Sequence, residues 1–226
     1  MKFENTEVWG FKHAFRGLRN PLESWDKSDS FFGGNCGTDC NIDNCSHPDT
    51  IQLGKNDLEL AQKLIKAGSE HRKFLRQIFC SVDITAPLYW WKEFDTYKVG
   101  TVANSTSTMH KLASTPITID CFEMDDFEDV FYKDKGIDIS TKMIWEAICW
   151  DLEQIRQKYN ETKDKRYWKE LIRLLPESWL QTRTVTMNYE NLLNISCQRK
   201  NHKLSEWHKF CYWVESLPFF KELIDV

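Results

Sequence analysis

The segment Asn188-Tyr189-Glu190-Asn191-Leu192-Leu193-Asn194-Ile195-Ser196-Cys197-Gln198-Arg199 carries the strongest structural signal in the chain. Asn188 can cap a helix, because its side-chain oxygen accepts a backbone N–H that the first turn leaves unpaired. Leu192, Leu193, Ile195 and Ser196 then fall on a face that can meet a core. Asn188, Asn191 and Asn194 recur every third residue and share a face. Amides in a row can read the edge of a flat heterocycle through paired donors and acceptors. Arg199 stands near the helix end, where a cation suits the macrodipole. A solvated polar face accounts for the same spacing. Just upstream, residues 181–187 are rich in β-branched side chains and read as a strand. Residues 162–175 read as a helix stopped by Pro176, and residues 203–216 as a last helix that Pro218 ends.

The same reading extends to the N-terminus. Residues 2–9 alternate as a first strand, and residues 10–19 form a short helical piece. Residues 20–54 have loop composition, with Gly33-Gly34, Pro21, Pro48 and many Asp, Asn and Ser. A helix starts at Asn56-Asp57 and stops at Gly68. Ile78, Cys80, Val82 and Ile84 alternate within a strand over 77–85. Pro87 opens an aromatic helix, and a polar run follows over 96–108. An acidic segment, 120–138, leads to a helix at about 140–159. The pattern is α+β: a small antiparallel sheet packed by several helices. The 226 residues suit one domain, 1–226, with a Cys-rich insert at about 30–50.

Three segments carry side chains suited to chemistry. The run 96–108 holds six Ser/Thr hydroxyls, Asn104, Lys98 and Gly100. Many short donors with one ammonium suit a phosphate, although an exposed Ser/Thr loop has the same composition. Cys36, Cys40, Cys45 and His47 supply three thiols and one imidazole, enough for a tetrahedral zinc site; a cysteine-bearing loop without metal is the alternative. His71 is read as ending a helix and facing a strand, within approach of a cofactor. The ten Trp read as packing. No stretch approaches about 18 apolar residues, so no membrane span is expected. A net charge of −4 argues against a nucleic-acid partner, and the N-terminus lacks the apolar run of a signal peptide, so the expected location is cytoplasmic. There is no Gly-rich phosphate loop and no nucleophile elbow.

Taken in order, these segments resemble the flavin-dependent thymidylate synthases. Leu175-Pro176, the strand and the Asn188–Arg199 helix match the family's C-terminal pattern at Asn188, Leu192, Asn194 and Arg199. Ser205-Glu206-Trp207 resembles the acidic start of its last helix. Ala86-Pro87 leads into the place of the family signature, which here reads Thr96-Tyr97-Lys98, then Thr101, Ala103-Asn104, Thr106 and Thr108-Met109. A one-residue shift instead restores Asn104 and Ser107. Arginine, histidine and glutamate of the signature are therefore replaced, and Glu190 stands where the family usually has an arginine beside the flavin.

The resemblance implies a divergent flavin-dependent methyl-transferring enzyme that converts dUMP to dTMP. FAD would be its cofactor, and NADPH and methylenetetrahydrofolate its co-substrates. It implies flavin contacts for Asn188 and Asn194, with His71 and Lys98 as further cofactor-side candidates, and a uracil-facing, activating role for Arg199. Thr101, Asn104, Ser105, Thr106 and Ser107 are the expected binders of the pyrimidine deoxynucleotide. A homotetramer is the implied assembly. Two other readings stay open: a non-catalytic nucleotide- or flavin-binding homologue, which the altered signature favours, and a small zinc-held interaction protein.

Overall fold

A computed structural model describes residues 1–33 and 51–224. The four zinc candidates Cys36, Cys40, Cys45 and His47 lie outside the described residues. In chain order the elements are β1 (Lys2–Trp9), α1 (Phe11–Arg19), β2 (Phe31–Phe32), β3 (Ile51–Gln52), α2 (Lys55–Lys66), β4 (Phe79–Pro87), α3 (Leu88–Phe94), β5 (Val102–Ser105) and α4 (Thr108–Lys111). There follow β6 (Phe131–Asp134), β7 (Ile137–Ser140), α5 (Thr141–Thr162), α6 (Lys165–Leu174), β8 (Leu180–Asn188), α7 (Tyr189–Arg199), α8 (Ser205–Glu215) and α9 (Phe220–Ile224). The fold is α+β, with small antiparallel sheets and many helices.

The main sheet has the order β1-β4-β8-β5. Cross-strand side chains give the register of its central pair. Ser81 meets Thr186 at 3.2 Å, Asp83 meets Thr184 at 2.5 Å and Thr85 meets Thr182 at 2.7 Å. Numbers rise on one strand as they fall on the other, so β4 and β8 are antiparallel. On the opposite face Cys80, Val82, Ile84, Ala86, Val185 and Met187 are buried. The period of two thus sends hydroxyls to one side and core to the other. Pro87 ends β4 and leads directly into α3, with its fixed φ and missing N–H.

The described chain forms two compact units. The first combines Met1–Glu4, Asp83–Lys98 and Ala103–Val185. Its helical core joins Leu112, Ile117, Phe122, Leu152 and Leu171, with Trp145 and Ile155 against them. Trp90 and Trp91 of α3 are fully buried, and Trp91 Nε1 donates to the Gln181 carbonyl at 2.9 Å. The second unit combines Asn5–Val82, Val99–Val102 and Thr186–Val226. There Tyr189 packs edge-on against Phe11 and Phe220, and its hydroxyl donates to the Pro218 carbonyl at 2.8 Å. Buried Asp57 accepts from Arg19 Nε at 2.6 Å and Ser28 Oγ at 2.7 Å, tying α1 to α2. Packing therefore accounts for the three most buried tryptophans, Trp90, Trp91 and Trp207, whereas Trp9, Trp25 and Trp150 are exposed.

Strand β5, the hairpin β6–β7 and helix α9 depart from the sequence reading. The polar run 96–108 contains strand β5, all four residues of which are exposed. The acidic segment holds the hairpin β6–β7, paired from Phe131–Ser140 to Asp134–Ile137. Its two turn residues, Lys135 and Gly136, both have positive φ (50° and 83°), which suits a tight two-residue turn.

Candidate functional site

In the second unit, α7 carries the polar face foreseen from its spacing. Asn188 caps it in a reciprocal box: Asn191 N–H donates to Asn188 Oδ1 at 3.0 Å, and Asn188 N–H donates to Asn191 Oδ1 at 3.2 Å. Asn191 Nδ2 donates to the Val99 carbonyl at 2.8 Å. This brings Gly100 so close that a Cβ there would lie 2.8 Å from Asn191 Oδ1, and its φ of +77° suits only glycine well. The Asn191 side chain is thus engaged by the fold through both its oxygen and its nitrogen. Asn188 Nδ2 has no hydrogen-bond partner among the described residues.

The next turn holds an ion cluster that sequence spacing does not reveal. Arg72 Nε donates to Glu190 Oε1 at 3.2 Å, and its Nη2 donates to Asn194 Oδ1 at 2.9 Å. Arg76 Nε donates to the other Glu190 oxygen. The Glu190 side chain is 10% exposed. Burial pushes its carboxyl up, but hydrogen bonds from Arg76 and Arg72 outweigh this and hold it below the ordinary carboxylate value. Its hydrogen bond to Glu190 raises the Arg76 pKa in turn. Two guanidiniums face the Glu190 carboxylate, and the Glu70 carboxylate acts on Arg76 as well. Arg199 stands at the end of the helix, its guanidinium over the Trp207 ring at 4.7 Å from the centroid, a cation–π distance.

His71 departs from expectation. Helix α2 ends at Lys66, and His71 lies in the turn beyond it, its N–H donating to the Gly68 carbonyl at 3.0 Å. It lines a cavity of about 410 Å³ with Glu70, Lys73, Phe74 and Gln77. Its neighbour Arg72, together with Arg76, reaches α7.

In the first unit, Thr106 and Ser107 line a different cavity, of about 400 Å³. Thr85, Thr108, Thr115 and Thr182 add hydroxyls there, and Lys2 and Lys111 add ammonium groups, beside the carboxylates of Glu4 and Asp120. The hydroxyls are held in place. Thr106 N–H donates to the Thr182 carbonyl at 2.9 Å, and Gln181 Nε2 bridges the Thr106 carbonyl and Thr108 Oγ1. Ser107 Oγ meets His110 Nδ1 at 2.7 Å and caps α4. Lys98, Thr101, Asn104 and Ser105 do not line this cavity. Alternation along β4 and β8 is the signal that could have added Thr85 and Thr182 to the candidates.

No protein-family model matches the chain, and no curated protein matches it. Solved structures do. A flavin-dependent thymidylate synthase from Helicobacter pylori, complexed with FAD and dUMP, aligns with a TM-score of 0.65 at 14% identity. The alignment covers 98% of this chain and 96% of that one. A second structure of thymidylate synthase X from the same organism, also with FAD and dUMP, gives 0.61 at 14% identity, covering 96% and 92%. The chain has the fold of these enzymes. Among the described residues no group of three or more His, Cys, Asp or Glu could hold a metal. Among them, too, no helix is long and apolar enough to cross a membrane.

Proposed function

We propose that this chain is a divergent flavin-dependent methyl-transferring enzyme acting on a pyrimidine deoxynucleotide, with dUMP as substrate and dTMP as product. The observation that carries this reading is the fold shared along nearly the whole chain with an enzyme whose structure holds FAD and dUMP. The donor set of α7 fits a flat heterocycle: Asn188 Nδ2 is unused among the described residues, and the guanidiniums of Arg72 and Arg76 stand beside the same helix. FAD, when bound, supplies the hydride; NADPH and methylenetetrahydrofolate would be the co-substrates. Asn188 and Asn194 would hold the flavin edge, and Arg199 would stabilise negative charge developing on a pyrimidine carbonyl. Its cation–π contact with Trp207 would preorganise the guanidinium and lower the entropy lost on binding.

The deoxynucleotide phosphate would take hydroxyl and ammonium donors in place of the arginines that the resemblance implies. Thr106, Ser107 and Lys111 are the donors in question. Salt screens the attraction of a phosphate to the Lys111 ammonium, so its affinity should fall as salt rises, while the nearby Asp120 carboxylate opposes binding at low salt. We propose a homotetramer in the cytoplasm as the working assembly.

One observation favours a second reading, a non-catalytic flavin or nucleotide binder. Glu190 occupies a position where the resemblance implies arginine, and it engages two arginines of its own unit. The visible spectrum of the purified protein, with added FAD and dUMP, tests the shared part of both readings. A flavin band that shifts with dUMP is expected; no flavin binding at saturating FAD refutes the enzyme and the flavin binder, and no dUMP binding in addition refutes the nucleotide binder. Production of dTMP from dUMP with NADPH and methylenetetrahydrofolate then separates them, because the binder gives none.

A further inference from the structure

The first unit holds another cavity, of about 510 Å³, lined by none of the residues discussed above for flavin or nucleotide. Its walls are Ile119, Met124, Phe127, Trp145 and Cys149, and its polar lining is Lys142 and Glu146. The volume lies within the range of small-molecule sites, roughly 300–1,000 Å³. The lining follows from local structure. Ser140 caps α5, its Oγ accepting the Met143 N–H at 3.2 Å. Residues 142, 145, 146 and 149 then share one face of the helix. Behind them Trp145 packs on Phe122 at 5.3 Å between ring centroids, so that wall is backed by the core. Across the cavity, the Phe127 N–H donates to the Met124 carbonyl at 3.2 Å and closes the turn that presents both side chains.

The chemistry of the lining selects a ligand. Burial pushes the Cys149 thiol up, so it is neutral at pH 7 and acts as an apolar wall. Ile119 and Phe127 remain exposed to water, and covering them is favourable at about 25 cal/mol per Å². Lys142 donates its backbone N–H to Asp129 Oδ1 at 2.9 Å, while its ammonium makes no salt bridge among the described residues. Glu146, one turn further along α5, makes none there either. A cation in the first turn and a carboxylate one turn in favour a ligand with an acidic head and an N–H donor behind it.

We infer that this cavity is a binding site for a small, flat aromatic acid that also carries an N–H group. The acid faces Lys142, the N–H faces Glu146, and the ring system lies against Trp145 and Phe127. The site does not rest on the proposed activity, and it can be present whether or not the chain binds flavin.

The test uses the full chain and two fluorescent probes. 8-Anilinonaphthalene-1-sulfonate has an aromatic body, a sulfonate and an N–H; N-phenyl-1-naphthylamine lacks the sulfonate. One saturable site per chain is expected for each. Lys142→Gln is expected to weaken the sulfonate probe about tenfold and to leave the neutral probe unchanged; a tenfold change is about 1.4 kcal/mol. Cys149→Phe fills the cavity and should abolish both, and Met124→Trp fills it from the opposite wall should the first variant fail to fold. No saturable site overturns the inference, as does undiminished binding in a folded cavity-filled variant. Equal weakening of both probes by Lys142→Gln also overturns it. Probe binding that weakens as protein concentration rises, with a dimer in sedimentation, assigns the cavity to a second copy and overturns it too.

Discussion

Replacing Glu190 by Gln keeps the shape of the side chain and removes its charge. Its carboxylate is 10% exposed and accepts from two guanidiniums, of which Arg72 is 19% and Arg76 50% exposed. Removing one member of a buried ion pair costs about 3–5 kcal/mol because the partner is left uncompensated. Arg76 can turn to water, and Gln still accepts one hydrogen bond from Arg72, so the expected cost is about 2 kcal/mol. At roughly 2–4 °C per kcal/mol for a chain of this length, the midpoint should fall by about 4–8 °C at pH 7. The pH dependence has a fixed sign. The folded carboxyl lies below its ordinary value of 4.5, so its contribution is present above that pH and is lost as pH falls through the depressed folded value. Urea unfolding of both proteins at pH 7 and at pH 4 reads this directly. The gap between them should be widest at pH 7 and narrower at pH 4. Equal midpoints at pH 7, or a gap that widens on acidification, would refute the reasoning. The double variant with Arg72→Gln should show a coupling of about 1 kcal/mol or more.

Asp57→Asn leaves Arg19 buried without its counter-charge, and calorimetry should show a loss of about 3 kcal/mol, or roughly 6–12 °C. Asn188→Ala removes one half of the capping box and should cost about 1 kcal/mol by chemical denaturation; an unchanged midpoint contradicts the capping role. Gly100→Ala sets a Cβ against Asn191 Oδ1 at positive φ and should cost more than about 1 kcal/mol, with the same measurement as its check. Burial pushes the Cys80 thiol up to about 12, so iodoacetamide at pH 8 should leave Cys80 intact in the folded protein while exposed Cys197 is alkylated. Peptide mass mapping of Cys80 and Cys197 reads both.

The elements that carry the α7 face were legible because their signals are local. Alternation placed β4 to within two residues at each end, and an asparagine before an apolar run placed the start of α7. The family resemblance rests on that same stretch, and the fold agrees with it. Strand β5 was not legible, since all four of its residues are exposed and no apolar alternation marks them. What makes this region part of the sheet is backbone pairing, as in the Thr106 N–H bond to the Thr182 carbonyl, 76 positions along the chain. The hairpin β6–β7 was hidden by acidic composition, although Lys135-Gly136 marks its turn. Helix α9 follows Pro218 after a one-residue gap, where proline alone had signalled a stop.

From residues alone follow the strand β4, the helices α2 and α8, the cap of α7 and the shared face of its three asparagines. Those properties depend on residues within one or two turns of each other. Tertiary structure decided what the faces do. Glu190 finds Arg72 and Arg76 from more than a hundred residues away, and Asn191 is spent on Val99. Thr106 and Ser107 are joined by Thr85 and Thr182 because two antiparallel strands bring their hydroxyls to one side. Contacts of that range follow from how the whole chain buries its apolar surface, and the spacing of neighbouring residues does not encode them.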